Sequence, residues 1–293
     1  MISFRYHVVS LVAVLLSLAA GVVLGGGPLS ELGRTDKAPV RAAADTTAAR
    51  QSAAFADALA TQGSSRMYDD GLEGSSVVLL SMPGASDTTR NAIAEQVQAA
   101  GGTVGGTYAV QPTLVNTGEK TLVDTLGSQL MTQLSEGVVS SDADTYTRLG
   151  ELLGVALTTT NTQGTKPLGD QSTGILSSLD GAGLLSSTGK ATGRAAYVVV
   201  ILGDEPSPEA DAIYAGLLGG LASHAAGVVA TGVGPDGLLA RLRSEPVAAE
   251  IATVDGVDHT AGQVTSVLAL TEWPSTKGGS FGASGADGAV GLR

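Results

Sequence analysis

The chain has no cysteine among its 293 residues. Disulfides, thiolate metal sites, iron–sulfur clusters and cysteine nucleophiles are excluded together. Aromatic residues make up only 3%, so a core must be built from Val, Leu, Ile and Ala. Basic residues are few: the lysines are Lys37, Lys120, Lys166, Lys190 and Lys277, and formal net charge is −12. An acidic chain without a basic patch repels phosphate backbones, so no nucleic-acid partner is expected. The histidines are His7, His224 and His259, and the methionines are Met1, Met67, Met82 and Met131. None of these cluster in sequence, so there is no evident soft site for copper.

What the chain does have is a long apolar run. Met1-Ile2-Ser3-Phe4-Arg5-Tyr6-His7 precedes an uncharged stretch from Val8 to Gly26. About 19 helical residues at about 1.5 Å each span nearly 30 Å, the thickness of a bilayer core. Residues 1–7 are therefore expected in the cytoplasm, 8–26 as a single transmembrane helix, and the remainder outside, with Arg5 and the terminal amine setting the orientation. A cleaved signal peptide is the rival reading, with Ser17-Leu18-Ala19 as an acceptable site, although cleavage there would cut the apolar run in its middle. A buried core helix is a third.

Residues 27–74 read as a helical stalk or weak coiled coil. Ala is abundant, neither Gly nor Pro interrupts residues 40–62, and Phe55 and Leu59 share a face at i, i+4 spacing. A partly ordered linker is the alternative, and a homodimer through the stalk is an expectation of the helical reading.

Residues 75–274 are expected to form an extracytoplasmic α/β domain with a mostly parallel sheet flanked by helices. It begins twice. Ser76–Ser81 is a short apolar strand, Asp87 is placed to cap a helix over Thr88–Ala100, and Thr103–Val110 is the next strand. Ala196–Leu202, a helix from Ser207 or Pro208, and Gly227–Thr231 repeat the design. These are two βαβ-type halves. Continuous apolar strands between helices argue for a sheet covered on both faces. Residues 120–136 and 144–157 read as amphipathic helices, and 158–194 as an exposed excursion. Glu250–Val254 is a last strand before a helix from Thr260. Residues 275–293 are Gly/Ser/Ala-rich and are expected to be a disordered tail.

Three places carry chemistry-like residues. Gly232-Val233-Gly234-Pro235-Asp236-Gly237 follows a strand, and Asp255 lies about 20 residues on, the outline of a dinucleotide fingerprint with Gly232, Gly234, Gly237 and Asp255 as cofactor-binding candidates. The helix after it is too short for an ordinary crossover, so a glycine-rich turn is the plainer reading. Asp204-Glu205 ends a strand, where a paired acid holds a cation or activates water, or merely complements a helix dipole. Asp255, Asp258 and His259 complete the metal candidates, although Asp258 or Thr260 as a helix cap accounts for that segment more simply. No catalytic residues stand out, and the chain is read as a non-enzyme. An enzyme dependent on a nucleotide or metal remains the less favoured reading.

Met1-Ile2-Ser3-Phe4-Arg5-Tyr6-His7-Val8-Val9-Ser10-Leu11, running to Gly21-Val22-Val23-Leu24-Gly25, resembles the start of the actinobacterial copper-transporter (MctB-like) family. Thr253-Val254-Asp255-Gly256-Val257-Asp258, followed by Gly262-Gln263-Val264 and Leu268-Ala269-Leu270, is similar to that family too. Gly279-Ser280-Phe281-Gly282 resembles its closing Gly-x-aromatic-Gly. The resemblance covers essentially the whole chain. It implies copper efflux or resistance, with copper as the metal, through a proposed outer-membrane pore. For SteB-like members it implies an envelope role with a SteA-like membrane protein in cell division and cell-wall remodelling. It carries no ligand set onto particular residues. A pore-forming barrel requires many alternating strands of about 9–11 residues with aromatic girdles, which this pattern does not supply. The membrane assignment predicts that a C-terminal reporter active only outside the cytoplasm is active on the intact chain, and that removing Val8–Leu24 releases a soluble folded domain. A reporter active only inside the cell contradicts it.

Overall fold

The computed structural model describes residues 38–189, 191–234 and 236–292. The expected transmembrane segment, residues 8–26, and the cytoplasmic residues 1–7 lie outside them. Among the described residues no helix is long and apolar enough to cross a membrane. The chain divides into a unit ending at Phe55 and a compact unit from Ala56 onward. What is described of the first unit is the opening of helix α1 (Ala38–Tyr68), where Phe55 is exposed.

Within the second unit, the end of α1 buries Ala60, Ser64 and Tyr68, a stripe at i, i+4 and i+8. The Tyr68 hydroxyl donates to Gln96 Oε1 at 2.8 Å. Leu59, off that stripe, remains exposed. Asp69 and Asp70 then take left-handed conformations (φ 46° and 53°), turning the chain into the sheet domain.

That domain is α/β. Strand β1 (Ser76–Ser81) is followed by α2 (Asp87–Ala99) and β2 (Thr103–Val110). Ser86, rather than Asp87, caps α2, its hydroxyl accepting from Thr89 N at 3.4 Å. Next come α3 (Pro112–Val115), α4 (Lys120–Met131), α5 (Thr145–Leu157), α6 (Asp170–Gly181) and β3 (Leu185–Ser187). The second half has β4 (Tyr197–Ile201), a 3₁₀ turn at Pro208–Ala210, α7 (Asp211–Ala222) and β5 (Gly227–Gly232). The chain continues through α8 (Leu238–Leu242), β6 (Ala252–Asp255), α9 (Thr260–Thr271) and β7 (Ser280–Phe281).

The seven strands lie in the order β3-β2-β1-β4-β5-β6-β7, parallel throughout except for β3. Each strand's register follows its apolar run, with Val77–Ser81 paired to Tyr197–Ile201 across the centre. The two βαβ halves leave this centre in opposite directions. Their helices therefore fall on opposite faces: Ile93 and Val97 of α2 in one core, Ile213 and Leu217 of α7 in the other.

Two expectations are corrected. The presumed excursion at 158–194 contains α6 and β3. Ile175 and Leu179, one helical turn apart, are buried together with Leu184 and Leu185, so this stretch has its own apolar face despite its Ser/Thr/Gly content. The tail from Ser275 was expected to be disordered but carries β7. Thr253 and Val254 pair with Ser280 and Phe281, and Gly282 N donates to Gly288 O at 2.9 Å. Ordering comes from a buried Phe281 and from partners far away in sequence, which composition does not reveal.

On the face opposite α2, α5 and α7 cross at backbone contact. Gly150 lies against the Leu217 carbonyl and Gly220 against the Thr147 carbonyl, with no room for a Cβ at either position. Gly154 sits under His224. Close approach of this kind gains dispersion contact but tolerates no added volume. Gly220→Ala is expected to lower stability by about 1–3 kcal/mol, measured by denaturant unfolding of the full chain. An unchanged unfolding midpoint contradicts the crossing.

Candidate functional site

The sequence-derived site residues gather at the carboxyl ends of β4, β5 and β6, where open parallel sheets hold ligands. They do not form one site. They divide into three clusters, each with its own internal partners.

Asp204 and Glu205 follow β4. The Asp204 amide donates to Pro83 O at 2.9 Å, and Gly84 lies directly against the Asp204 carboxylate. The loops after β1 and β4 thus fill the crevice between the two halves with backbone. Glu205 turns toward the glycine-rich loop. Its Oε2 accepts from Leu238 N at 2.9 Å, and its Oε1 lies 2.7 Å from Arg241 Nη1. Arg241 also donates to Asp211 Oδ1 at 2.9 Å. The Glu205 carboxylate therefore stands at the start of α8, where a pyrophosphate stands in a dinucleotide fold.

Gly232 and Gly234 line a cavity of about 220 Å³ with Asp204, Glu205 and Asp236. Gly237 (φ 77°, ψ −145°) adopts a positive-φ conformation open essentially to glycine alone, and its backbone lies against Glu205. Asp255 is not among the residues lining this cavity. An anion at the start of α8 would have to displace Glu205, and the five-residue helix offers little dipole in exchange.

Asp255 ends β6, and its side chain is 2% exposed. Its Oδ2 lies 3.0 Å from Arg243 Nη2 and accepts from the Ser284 hydroxyl at 2.6 Å. Its Oδ1 accepts from Ala283 N at 2.8 Å. Arg243 also donates to Thr253 Oγ1, Ser284 Oγ and Phe281 O at 3.1, 2.9 and 2.8 Å. Burial alone would raise the Asp255 carboxyl's pKa. Hydrogen bonds from Ser284 and Arg243, with the guanidinium charge, outweigh burial and hold it below its ordinary value.

His259 belongs to the third cluster. Its Nδ1 is 3.1 Å from Asp57 Oδ2, and its Nε2 is 3.7 Å from Asp258 Oδ2. Asp57 Oδ1 accepts from Ala261 N at 3.2 Å. The expected cap of α9, Asp258 or Thr260, is thus supplied instead by Asp57, which is about 200 residues away in sequence. Among the described residues no group of three or more His, Cys, Asp or Glu side chains is arranged to hold a metal. Arg243, Ser284 and Asp57 were not singled out from sequence. Each acts on a residue distant along the chain or on a backbone group, and leaves no short motif.

The family described as "Copper transport outer membrane protein, MctB" matches residues 1–291. The chain belongs to this family. It is 33% identical over 299 residues to "Copper transporter MctB" of Mycobacterium tuberculosis and to its namesake in Mycobacterium bovis, covering 92% of each chain. The Mycobacterium leprae protein of the same name is 30% identical over 297 residues, again covering 92% of each. Two segments that carry the MctB resemblance meet in the structure: Thr253–Asp258 contains β6, and Gly279–Gly282 contains β7 paired to it. Gly262, also in the resemblance, lets α9 rest on the Gly256 carbonyl.

Removing one partner of a buried ion pair strands the other charge. Arg243→Ala is therefore expected to cost about 3–5 kcal/mol. Because the folded pKa of Asp255 is depressed, its contribution is present above the unfolded value, near 3.8, and is lost as pH falls through the lower folded value. Asp255→Asn should remove part of the acid-induced loss of stability below about pH 4, as measured by unfolding at stepped pH. An identical acid limb in wild type and variant contradicts the assignment.

Proposed function

We propose that the chain serves copper transport and resistance as an envelope-anchored, non-catalytic α/β protein that works through a membrane partner and is not itself the conduit. The copper part is supported by family membership and by the name of its relatives, copper transporter MctB. In this reading the anchor is residues 8–26, the uncharged apolar run long enough for a bilayer.

One observation carries the division between transport role and conduit: the described strands form an open sheet covered by helices on both faces. A transmembrane barrel closes on itself, with alternating strands of about 9–11 residues and an apolar exterior. Here the strands have between two and eight residues, and β1, β4, β5 and β6 are buried along their whole length. In this reading the domain offers surfaces to other proteins, and its described strands form no closed barrel. Copper is then the cargo of the assembly in which the chain takes part.

In cells of its source organism, loss of the gene should raise copper sensitivity. The full-length chain should restore tolerance, and a chain lacking residues 8–26 should not. Full-length protein alone in liposomes should pass no more copper than protein-free vesicles. Saturable copper flux from the purified chain overturns the accessory reading, and an unchanged copper tolerance in the deletion strain overturns the copper role.

A further inference from the structure

Within the second unit, helix α1 is held to the domain unevenly along its length. At its carboxyl end Tyr68 is fully buried, and Met67 packs against the same core as Ile93, Val97 and Leu268. Between Ala56 and Gly63, Ala60 alone is buried. An alanine methyl removes little apolar area from water. This stretch therefore depends on a polar contact, and Asp57 supplies it. One of its carboxylate oxygens accepts from Ala261 N at 3.2 Å, and the other lies 3.1 Å from His259 Nδ1. The His259 side chain is 50% exposed and that of Asp57 29%, so water and salt compete with the contact.

The chain between this clasp and the Tyr68 anchor is poorly suited to a continuous helix. Thr61-Gln62-Gly63-Ser64-Ser65 carries a glycine and three hydroxyl residues, all less favourable than alanine in a helix interior. The Thr61 hydroxyl donates back to Asp57 O at 2.8 Å, and that of Ser64 to Thr61 O at 3.4 Å. Back-bonding of this kind weakens and bends helices. Residues 56–60, Ala-Asp-Ala-Leu-Ala, have no such weakness. Bending is thus concentrated at 61–65, between a stiff arm and a buried anchor.

The clasp meets the domain at the first turn of α9. Asp57 is the acceptor for the Ala261 amide there, and the next residue, Gly262, rests on the Gly256 carbonyl in the turn after β6. We propose that residues 56–61 of α1 are a releasable arm, hinged at Thr61–Ser65 and clasped by Asp57, so that displacing α1 uncaps α9. In the envelope reading, on which this consequence rests, the arm is where the anchored part of the chain acts on the domain. The hinge and the clasp themselves do not depend on copper or on the anchor.

The absence of cysteine allows spin labels to be placed in pairs on the full-length chain in detergent, with distances read by pulsed electron paramagnetic resonance. A reference label at exposed Gln129→Cys in α4 is paired with Leu59→Cys on the arm or with Arg66→Cys beyond the hinge, both exposed positions. The Leu59 pair should show one main distance and a minor second population. Asp57→Ala should raise the ratio of second to main population about fivefold, the equivalent of one lost helix cap. The Arg66 pair should not change. Gly63→Ala has room for its methyl, the nearest atom being Met67 Sδ at 3.4 Å. Added to Asp57→Ala, it should stiffen the hinge and return the Leu59 distribution toward that of the parent. Identical Leu59 distributions with and without Asp57, an Arg66 pair that shifts with the Leu59 pair, or no recovery on Gly63→Ala overturns the proposal.

Discussion

A buried carboxylate at the end of β6 is the constraint on which the carboxyl-terminal third depends. Asp255 has 2% of its side chain exposed and would be strongly disfavoured as a lone charge. It is held by Arg243 and by the backbone and hydroxyl of the Ser284 segment. The same guanidinium reaches the Phe281 carbonyl, so strand β7 is tied to β6 by an ion pair as well as by its ladder. Segments that carry the family resemblance on either side of α9 are joined here. Their likeness is thereby accounted for as a packing requirement: an acid needs its guanidinium, and a turn at Gly282 (φ 106°) needs to pass close to that acid.

The fold is doubly wound, yet its carboxyl edge is largely occupied by its own chain. Loops from β1 and β4 interlock through Pro83, Gly84 and Asp204. Glu205 caps α8 where a phosphate would otherwise be welcome. The part of β2 that β3 leaves uncovered and the outer strand β7 are closed in the same manner. Thr107 and Gly105 carbonyls on β2 accept from Thr188 and Thr192, and Ser280 on β7 exchanges bonds with Asp287. Edges satisfied internally do not recruit further strands.

Much of this architecture was legible in the sequence because its strands are short continuous apolar runs and its helices show apolar periodicity. Ser76–Ser81, Thr103–Val110, Gly227–Gly232 and the helix beginning at Thr260 stand where their patterns put them. The α6–β3 stretch and the tail were misread for one reason: their order depends on a few apolar residues, Ile175, Leu179 and Phe281, meeting distant partners. Candidate sites were the least legible. Gly232–Gly237 and Asp255 have the spacing of a nucleotide motif, but what surrounds them is set by Glu205, Arg243 and Ser284, and no local pattern announces a guanidinium 12 residues upstream or a hydroxyl 29 residues downstream. Asp57 capping α9 is the extreme case, since a cap is normally sought within the helix's own first turn.

Membership of the MctB family ties this chain to copper transport in name, while the described body is an α/β domain whose family-like carboxyl segments are spent on holding it together. The account stands on the Asp255 latch ordering the chain's last strand. Amide hydrogen exchange of the full-length protein at Ala283 and Ser284 tests it most directly. Protection comparable to that of β6, lost in Asp255→Asn, is the predicted result. Exchange at the rate of an unstructured peptide in the wild-type chain would contradict it.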